Sequence, residues 1–240
     1  MLVKSSNGVQ YECHDWDHTF VTHISTQDPV YNFAVGKERD IIISLLNNNK
    51  KRTFVDVGGH LGFWSLYMSE VFHQVLSFEP NPETFEYLKF NTINNKNIKI
   101  FNSALGDENS FVEVLYHVGL GTNPNISYEP EHRVNSGMSR VKKSSQGIEL
   151  IKLDDLNLSD LDFLKLDCEG FELMVLKGGE NTITKCFPII VTETNGLEKT
   201  LFDVETNEVH DYLTNLGYKR IFHCDDDPGV TSNSIYTIQN

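Results

Sequence analysis

The segment Asp56-Val57-Gly58-Gly59-His60-Leu61-Gly62 carries the most specific chemistry in this chain of 240 residues. It follows the β-branched run Thr53-Phe54-Val55 and precedes a helix-like stretch, Phe63 to Phe72. Glycines at a switch from strand to helix let the backbone turn tightly and approach a ligand, and the helix start presents free N–H groups. The spacing does not suit a nicotinamide cofactor, because G-x-G-x-x-G counted from Gly58 needs a glycine where His60 stands. An acidic Asp56 at the head of the loop is a poor neighbour for a pyrophosphate and a good one for an ammonium or sulfonium. The loop is expected to serve a cofactor with a positive centre and no phosphate, and S-adenosylmethionine fits.

A second acid, Glu79, stands in Phe78-Glu79-Pro80-Asn81-Pro82, about twenty residues further on, where folds of this kind accept a ribose diol. An ionised carboxylate only accepts hydrogen bonds, which suits two hydroxyls. The competing reading of Glu79 is a surface acid capping the helix after Pro82. Three further acids, Asp167, Glu169 and Glu193, are expected at the ends of two later strands. Converging there, they suit a general base for an alcohol, ligands to Mg²⁺, or acceptors for sugar hydroxyls. Glu169 and Glu172 also suit the first turn of a helix, and Glu172 reads as structural. Of the nine histidines only His60 lies in a motif; His14, His18 and His23 read as surface residues on strand and turn.

These residues need a frame that brings strand ends together. After the polar break at Asn47 to Arg52, short apolar strands alternate with helices. Strands are expected at Thr53–Val57, Gln74–Glu79, Ile98–Phe101, Asp162–Asp167 and Pro188–Glu193. Helices are expected over Lys37–Asn47, Phe63–Phe72 and Glu83–Asn94, from about Phe171, and near Glu205–Leu216. This alternation predicts an α/β Rossmann-like fold: a seven-strand, mostly parallel sheet covered on both faces. Right-handed crossovers spread the first three strands in one direction. The closing runs Tyr218–Phe222 and Ser234–Ile238 are joined only by a loop and predict an antiparallel pair at one edge. One domain, 1–240, is expected, with residues 1–36 as a lead-in of short strands or extended chain. Residues 116–147, rich in Gly, Pro and Asn, read either as a substrate loop or as a solvated, mobile insertion; they also hold Arg133, Arg140, Lys142 and Lys143, and His117 and His132 suit substrate contacts or a base.

Composition narrows the setting. Twenty Lys and Arg against 34 Asp and Glu give a net charge of -14, which argues against a surface that coats nucleic acid. The four cysteines are scattered and lack C-x-x-C spacing, the pattern of a reduced, intracellular protein. No apolar run reaches the ~18 residues of a spanning helix, and the N-terminus lacks a signal-peptide core. A cytoplasmic location is expected.

The pattern resembles the FkbM-type S-adenosylmethionine-dependent methyltransferases. The resemblance covers about residues 37–195. It rests on the glycine loop, on Phe78-Glu79-Pro80-Asn81-Pro82, on Ala104-Leu105-Gly106-Asp107, on Leu153-Asp154-Asp155-Leu156, and most on Lys165-Leu166-Asp167-Cys168-Glu169-Gly170-Phe171-Glu172. The family usually carries Ala-Asn at Gly59-His60 and a small aliphatic residue at Cys168. The resemblance implies O-methylation of a hydroxyl on a sugar, glycan or secondary metabolite. It implies that Asp56, Val57, Gly58, Gly59, His60 and Gly62 line the methionine and ribose parts of the cofactor, with Glu79, Pro80 and Asn81 at the ribose. Ser103, Ala104 and Leu105 then fall near the adenine. The basic cluster suggests an acceptor bearing acid or phosphate groups. Two alternatives stand beside this reading: a non-catalytic module that keeps the cofactor fold, and an N-methyltransferase. The second is disfavoured by Asp167-Cys168-Glu169-Gly170 standing where amino-group enzymes of nucleic acids carry Asn/Asp-Pro-Pro-Tyr/Phe.

Overall fold

A computed structural model describes residues 1–26, 28–30, 36–46, 50–116, 135–194, 202–205, 207–224 and 232–238. The chain opens with a hairpin of β1 (Leu2–Lys4) and β2 (Gln10–Glu12), then α1 (His18–Thr26) and α2 (Gly36–Leu45). The alternation that follows is β3 (Thr53–Val57), α3 (Phe63–Ser69), β4 (Gln74–Phe78), α4 (Pro82–Thr92) and β5 (Ile98–Phe101). Next come β6 (Ala104–Leu105), β7 (Ser110–Leu115), β8 (Arg140–Ser144) and β9 (Ile148–Ile151). The last part holds β10 (Leu161–Leu166), α5 (Glu172–Gly178), α6 (Glu180–Cys186), β11 (Ile189–Thr194), α7 (Glu208–Asn215), β12 (Lys219–Cys224) and β13 (Ser232–Thr237).

Seven strands form the main sheet in the order β12-β13-β11-β10-β3-β4-β5. The five strands from β11 to β5 are parallel, and β12 and β13 close one edge antiparallel, as the sequence predicts. Every residue of β3 and β10 is buried, which is why these strands read as apolar runs and not as alternations. Successive side chains feed opposite faces. Phe54, Val75, Phe163 and Val191 pack under α2 and α3, with Phe54 and Phe163 stacked at 4.7 Å. Val55, Leu76, Leu164 and Ile190 pack under α5 and α7. The crossovers therefore deliver every parallel strand with its carboxyl end on one rim, where the loops after β3, β4 and β10 lie together.

Two regions depart from the expectation. The lead-in holds the short strands expected of it, β1 and β2, but also a helix: α1 forms because Asp17 caps it, its Oδ1 accepting from the Phe20 N–H at 3.1 Å. Phe20 and Ile24 of α1 join Val3, Tyr11, Cys13, Leu61 and Phe63 in a third small core. His14 is not a surface residue. It is 2% exposed, lies 3.2 Å from the Thr84 hydroxyl, and packs between Trp16 and Tyr87. The stretch read as one long loop is partly regular: it contributes β8 to a second sheet, β6-β9-β7-β8. Residues 117–134, with His117, His132 and Arg133, lie outside the described residues. Among the described residues no helix is long and apolar enough to cross a membrane.

Candidate functional site

β3 ends at Val57 because Gly58 turns the chain away. Gly58 has φ +83°, and a Cβ there would lie 1.8 Å from the carbonyl oxygen of Asp167. Only glycine lets the loop after β3 touch the loop after β10. The N–H groups of Gly58 and Gly59 donate to the carbonyl of Phe78 at 3.0 and 2.9 Å, and the Asp167 N–H donates to that of Val57 at 3.1 Å. Three strand ends are thereby tied into one rim.

Beneath the loop lies a buried charge cluster. The Asp56 carboxylate is fully buried; Oδ2 accepts from the Ser65 hydroxyl at 2.6 Å, and Oδ1 lies 3.3 Å from Lys165 Nζ. Burial raises its pKa, opposed by the Lys165 charge. Lys165 sits opposite Asp56 in the β10–β3 register. Its ammonium donates to the Gly58 carbonyl at 3.0 Å and pairs with Asp167 Oδ2 at 3.1 Å. Burial works against this ammonium, but Asp167 and Asp56 outweigh it and hold its pKa above the ordinary lysine value. Sequence reasoning gave Lys165 no role. The signal was present: a lysine inside a mostly apolar central strand is buried only when it is paired.

On the β4 side, Glu79 is 7% exposed. Its Oε2 accepts from the His60 N–H at 2.8 Å and its Oε1 from the Asn81 N–H at 2.9 Å. Burial pushes its pKa up to about 7, against the pull of those two N–H groups. Each oxygen keeps a second lone pair, so the carboxylate retains capacity for a diol. The capping of α4 falls to Asn81, whose Oδ1 accepts from the N–H groups of Glu83 and Thr84 at 3.0 and 3.4 Å and from the Tyr116 hydroxyl at 3.1 Å. Asn81 is 1% exposed. Pro80 lies beside it on the rim. Beyond β5, Ser103 is buried, and Ala104 and Leu105 pair with Leu150 and Ile151 of the second sheet. Asn102 joins β5 to this rim by donating to the carbonyls of Glu79 and Pro80 at 2.9 and 3.1 Å.

On the β10 side, carboxylate oxygens of Asp167, Glu169 and Glu193 lie within 4.8 Å of one another. Asp167 keeps 37% of its side chain exposed. Burial tends to raise its pKa, but the Lys165 charge and a hydrogen bond with Glu193 bring it below the ordinary value. Burial and the Asp167 charge push Glu193 well above its ordinary value, so Glu193 is the later of the pair to give up its proton as pH rises. Glu169 takes a left-handed backbone, φ +56°, which turns the chain from β10 towards α5. Glu172 Oε1 accepts from the N–H groups of Cys168 and Gly170 at 2.9 and 3.4 Å, securing that turn. The five acids Asp56, Glu79, Asp167, Glu169 and Glu193 therefore do share the rim.

Two lysines of the basic cluster are engaged away from them. Lys143 pairs with Asp107 and Glu108 at 2.9 and 2.8 Å, and Lys142 with Glu113 at 3.8 Å, all within the second sheet. Arg140 is 2% exposed, inside β8. What the segment does bring to the rim is Ser136. Its hydroxyl lies 2.7 Å from His60 Nε2 and donates to Asp17 Oδ2 at 2.6 Å. Neither Ser136 nor Asp17 carried a motif, because they meet His60 only through tertiary contacts from distant segments.

The methyltransferase FkbM domain model matches residues 56–220. The chain is similar to the hexuronic acid methyltransferase AglP of Haloferax volcanii, 28% identical over 170 residues, or 67% of this chain and 64% of that protein. It is similar to methyltransferase sdnD of Sordaria araneosa, 26% identical over 168 residues, 58% of this chain and 65% of that one. The chain thus spans less than two thirds of the length of these curated relatives. Among solved structures, the FkbM methyltransferase of Methylobacillus flagellatus KT aligns with a TM-score of 0.50 at 16% identity, covering 97% of this chain and 63% of that one. A putative methyltransferase of Streptococcus mutans, solved in complex with SAH, aligns at 0.50 and 7% identity over 83% of this chain and 94% of that one. These likenesses show a shared class I methyltransferase fold.

Proposed function

The chain belongs to the methyltransferase FkbM domain family, and from that premise we propose that it is an S-adenosylmethionine-dependent O-methyltransferase acting on a hydroxyl of a sugar, glycan or secondary metabolite. The observation that carries this reading is the pairing of the glycine loop with Glu79. A buried carboxylate, held by two backbone N–H groups, keeps its remaining lone pairs beside a loop that only glycine can form. When bound, S-adenosylmethionine supplies an activated methyl group. The chain's own residues do the rest. Gly58 to Gly62 provide close backbone approach, Glu79 accepts the ribose hydroxyls, and Ser103, Ala104 and Leu105 border the adenine. Asp56, buried against Lys165, supplies negative potential from below and holds the loop. Asp167 with Glu193 faces the acceptor. The pair accepts and passes one proton, so it holds a hydroxyl and takes its hydrogen as the oxygen attacks.

Mg²⁺ is left out of this reading: Asp167 already pairs with the Lys165 ammonium at 3.1 Å, and burial beside Asp167 disfavours the charged form of Glu193. The α1 lead-in and the segment 116–147 are read as the cover of the acceptor pocket on a single domain. The hexuronic acid named for AglP favours an acidic sugar as the first acceptor to try.

The test is transfer of labelled methyl from S-adenosylmethionine to a panel of uronic acids and neutral glycans. A base-stable, ether-linked label supports the reading. A base-labile label marks a carboxyl ester and removes the hydroxyl as acceptor. Calorimetry with S-adenosylhomocysteine separates the rival of a non-catalytic module, which binds but transfers nothing. No binding at all, or binding unchanged in Glu79→Ala, overturns the cofactor site.

A further inference from the structure

His60 is a departure from the family pattern, and its surroundings are built rather than incidental. Its backbone is left-handed, φ +48°, a conformation that histidine tolerates better than most residues. Its N–H is fixed on Glu79 at 2.8 Å. Its ring packs 4.6 Å from Phe20 of α1, and Nε2 lies 2.7 Å from the Ser136 hydroxyl.

Proton counting gives this chain a direction. The Asp17 carboxylate is fully buried and only accepts: Oδ1 from the Phe20 N–H at 3.1 Å, Oδ2 from the Ser136 N–H at 2.7 Å and the Ser136 hydroxyl at 2.6 Å. Ser136 has one hydroxyl hydrogen, and Asp17 takes it. The Ser136 oxygen must then accept from His60, so Nε2 carries the ring hydrogen and Nδ1 carries a lone pair. Among the described residues Nδ1 has no hydrogen-bond partner, and His60 as a residue is half-buried. The enclosure that lowers the His60 pKa to about 4 keeps the ring neutral.

A lone pair can pair only with a donor. On the reading proposed above, the ribose hydroxyls belong to Glu79, and the adenine lies two strands away, beyond β5. A sulfonium and a carboxylate have no hydrogen to give. Of the cofactor's own groups, the amino group of the methionine part is the donor that remains. We propose that His60, set by Ser136 and Asp17 as an Nε2–H tautomer, offers Nδ1 to the α-ammonium of S-adenosylmethionine. Asp17 and Ser136 are then positioning residues of the cofactor site, supplied by the lead-in and by the end of the 116–147 segment. A neutral acceptor here holds the ammonium without adding a positive charge beside the sulfonium.

The test uses the full chain and two ligands, S-adenosylhomocysteine and 5′-methylthioadenosine, which lacks the amino-acid part. His60→Ala is expected to weaken S-adenosylhomocysteine about tenfold, the value of one hydrogen bond of about 1.4 kcal/mol, and to leave methylthioadenosine within about twofold. Ser136→Ala is expected to give a smaller loss with the same selectivity. His60→Asn, which suits the left-handed backbone, provides a second variant should the alanine protein fold poorly. Nitrogen-15 NMR of the ligand-free wild type reads the tautomer directly: Nε2 protonated and Nδ1 bare are expected, with the preference lost in Ser136→Ala. Equal loss of both ligands in either His60 variant, or a protonated Nδ1 in the free protein, overturns the proposal alone. Failure of the wild type to bind either ligand overturns the cofactor reading beneath it as well.

Discussion

The loops after β3 and β10 leave neighbouring strands side by side, and one lysine serves an acid from each. Lys165 lies 3.3 Å from Asp56 and 3.1 Å from Asp167, yet the two carboxylates live differently. Asp56 is sealed, with Ser65 and Lys165 as its partners. Asp167 keeps 37% of its side chain open and is hydrogen-bonded to Glu193, whose pKa it pushes up. The β3 side is therefore a fixed electrostatic floor, while the β10 side is a titratable surface that can exchange protons with what binds. A site for group transfer needs both kinds: a rigid part to hold the donor and an adaptable part to receive the acceptor.

Removing the shared lysine breaks the comparison most severely. Lys165→Met leaves a sealed carboxylate unpaired and is expected to cost about 3–5 kcal/mol, read from urea unfolding. The double variant Lys165→Met with Asp56→Asn is expected to recover much of that loss, because the floor then holds no charge. A next, smaller effect concerns Glu79, whose pKa rises from 4.5 to about 7 on folding through burial. The native state binds more protons than the unfolded chain across that window. Its contribution is fully present below about pH 4.5 and is lost as pH rises through about 7. Between about pH 5 and about pH 8, wild-type stability should fall relative to Glu79→Gln by on the order of 2 kcal/mol, and a flat difference in unfolding midpoints would count against the buried acid. Gly58→Ala forces a side chain against the Asp167 carbonyl and is expected to cost more than about 1 kcal/mol, with weakened S-adenosylhomocysteine binding, checked by thermal unfolding and calorimetry. The smallest effect sharpens the comparison from outside the rim. Lys143→Ala removes an exposed pair of the second sheet and is expected to change stability by less than about 0.5 kcal/mol and ligand binding not at all.

Much of this was legible in the residues. The strands β3, β4, β5, β10 and β11 announced themselves as short, largely apolar runs alternating with helices, most clearly β3 and β10, which are buried on both faces. The glycine loop and Glu79 stood out because backbone turns and lone acids at strand ends are local signals. Three things escaped. The helix α1 has an acid cap and a short apolar stripe that a string of Thr, His and Ser obscures. The second sheet is assembled from short strands whose partners lie on both sides of residues 116–147, so no local period marks it. The Asp17–Ser136–His60 chain joins residues 119 positions apart at its widest hydrogen bond, and spacing along a sequence cannot show that.

Lys165 has a consequence for assembly as well as for the site. It stands opposite Asp56 in the parallel pairing of β10 with β3, and Val55 and Val57 face Leu164 and Leu166 on either side. Sliding one strand by a single residue would set the ammonium against valine in a layer without water, at several kcal/mol. At the other end of the same two strands Arg52, just before β3, holds the Asp162 carboxylate of β10 through two side-chain hydrogen bonds. The charged pair in the middle of the sheet works as a second indexing pin, and with the strands level the rim can bring its acids level.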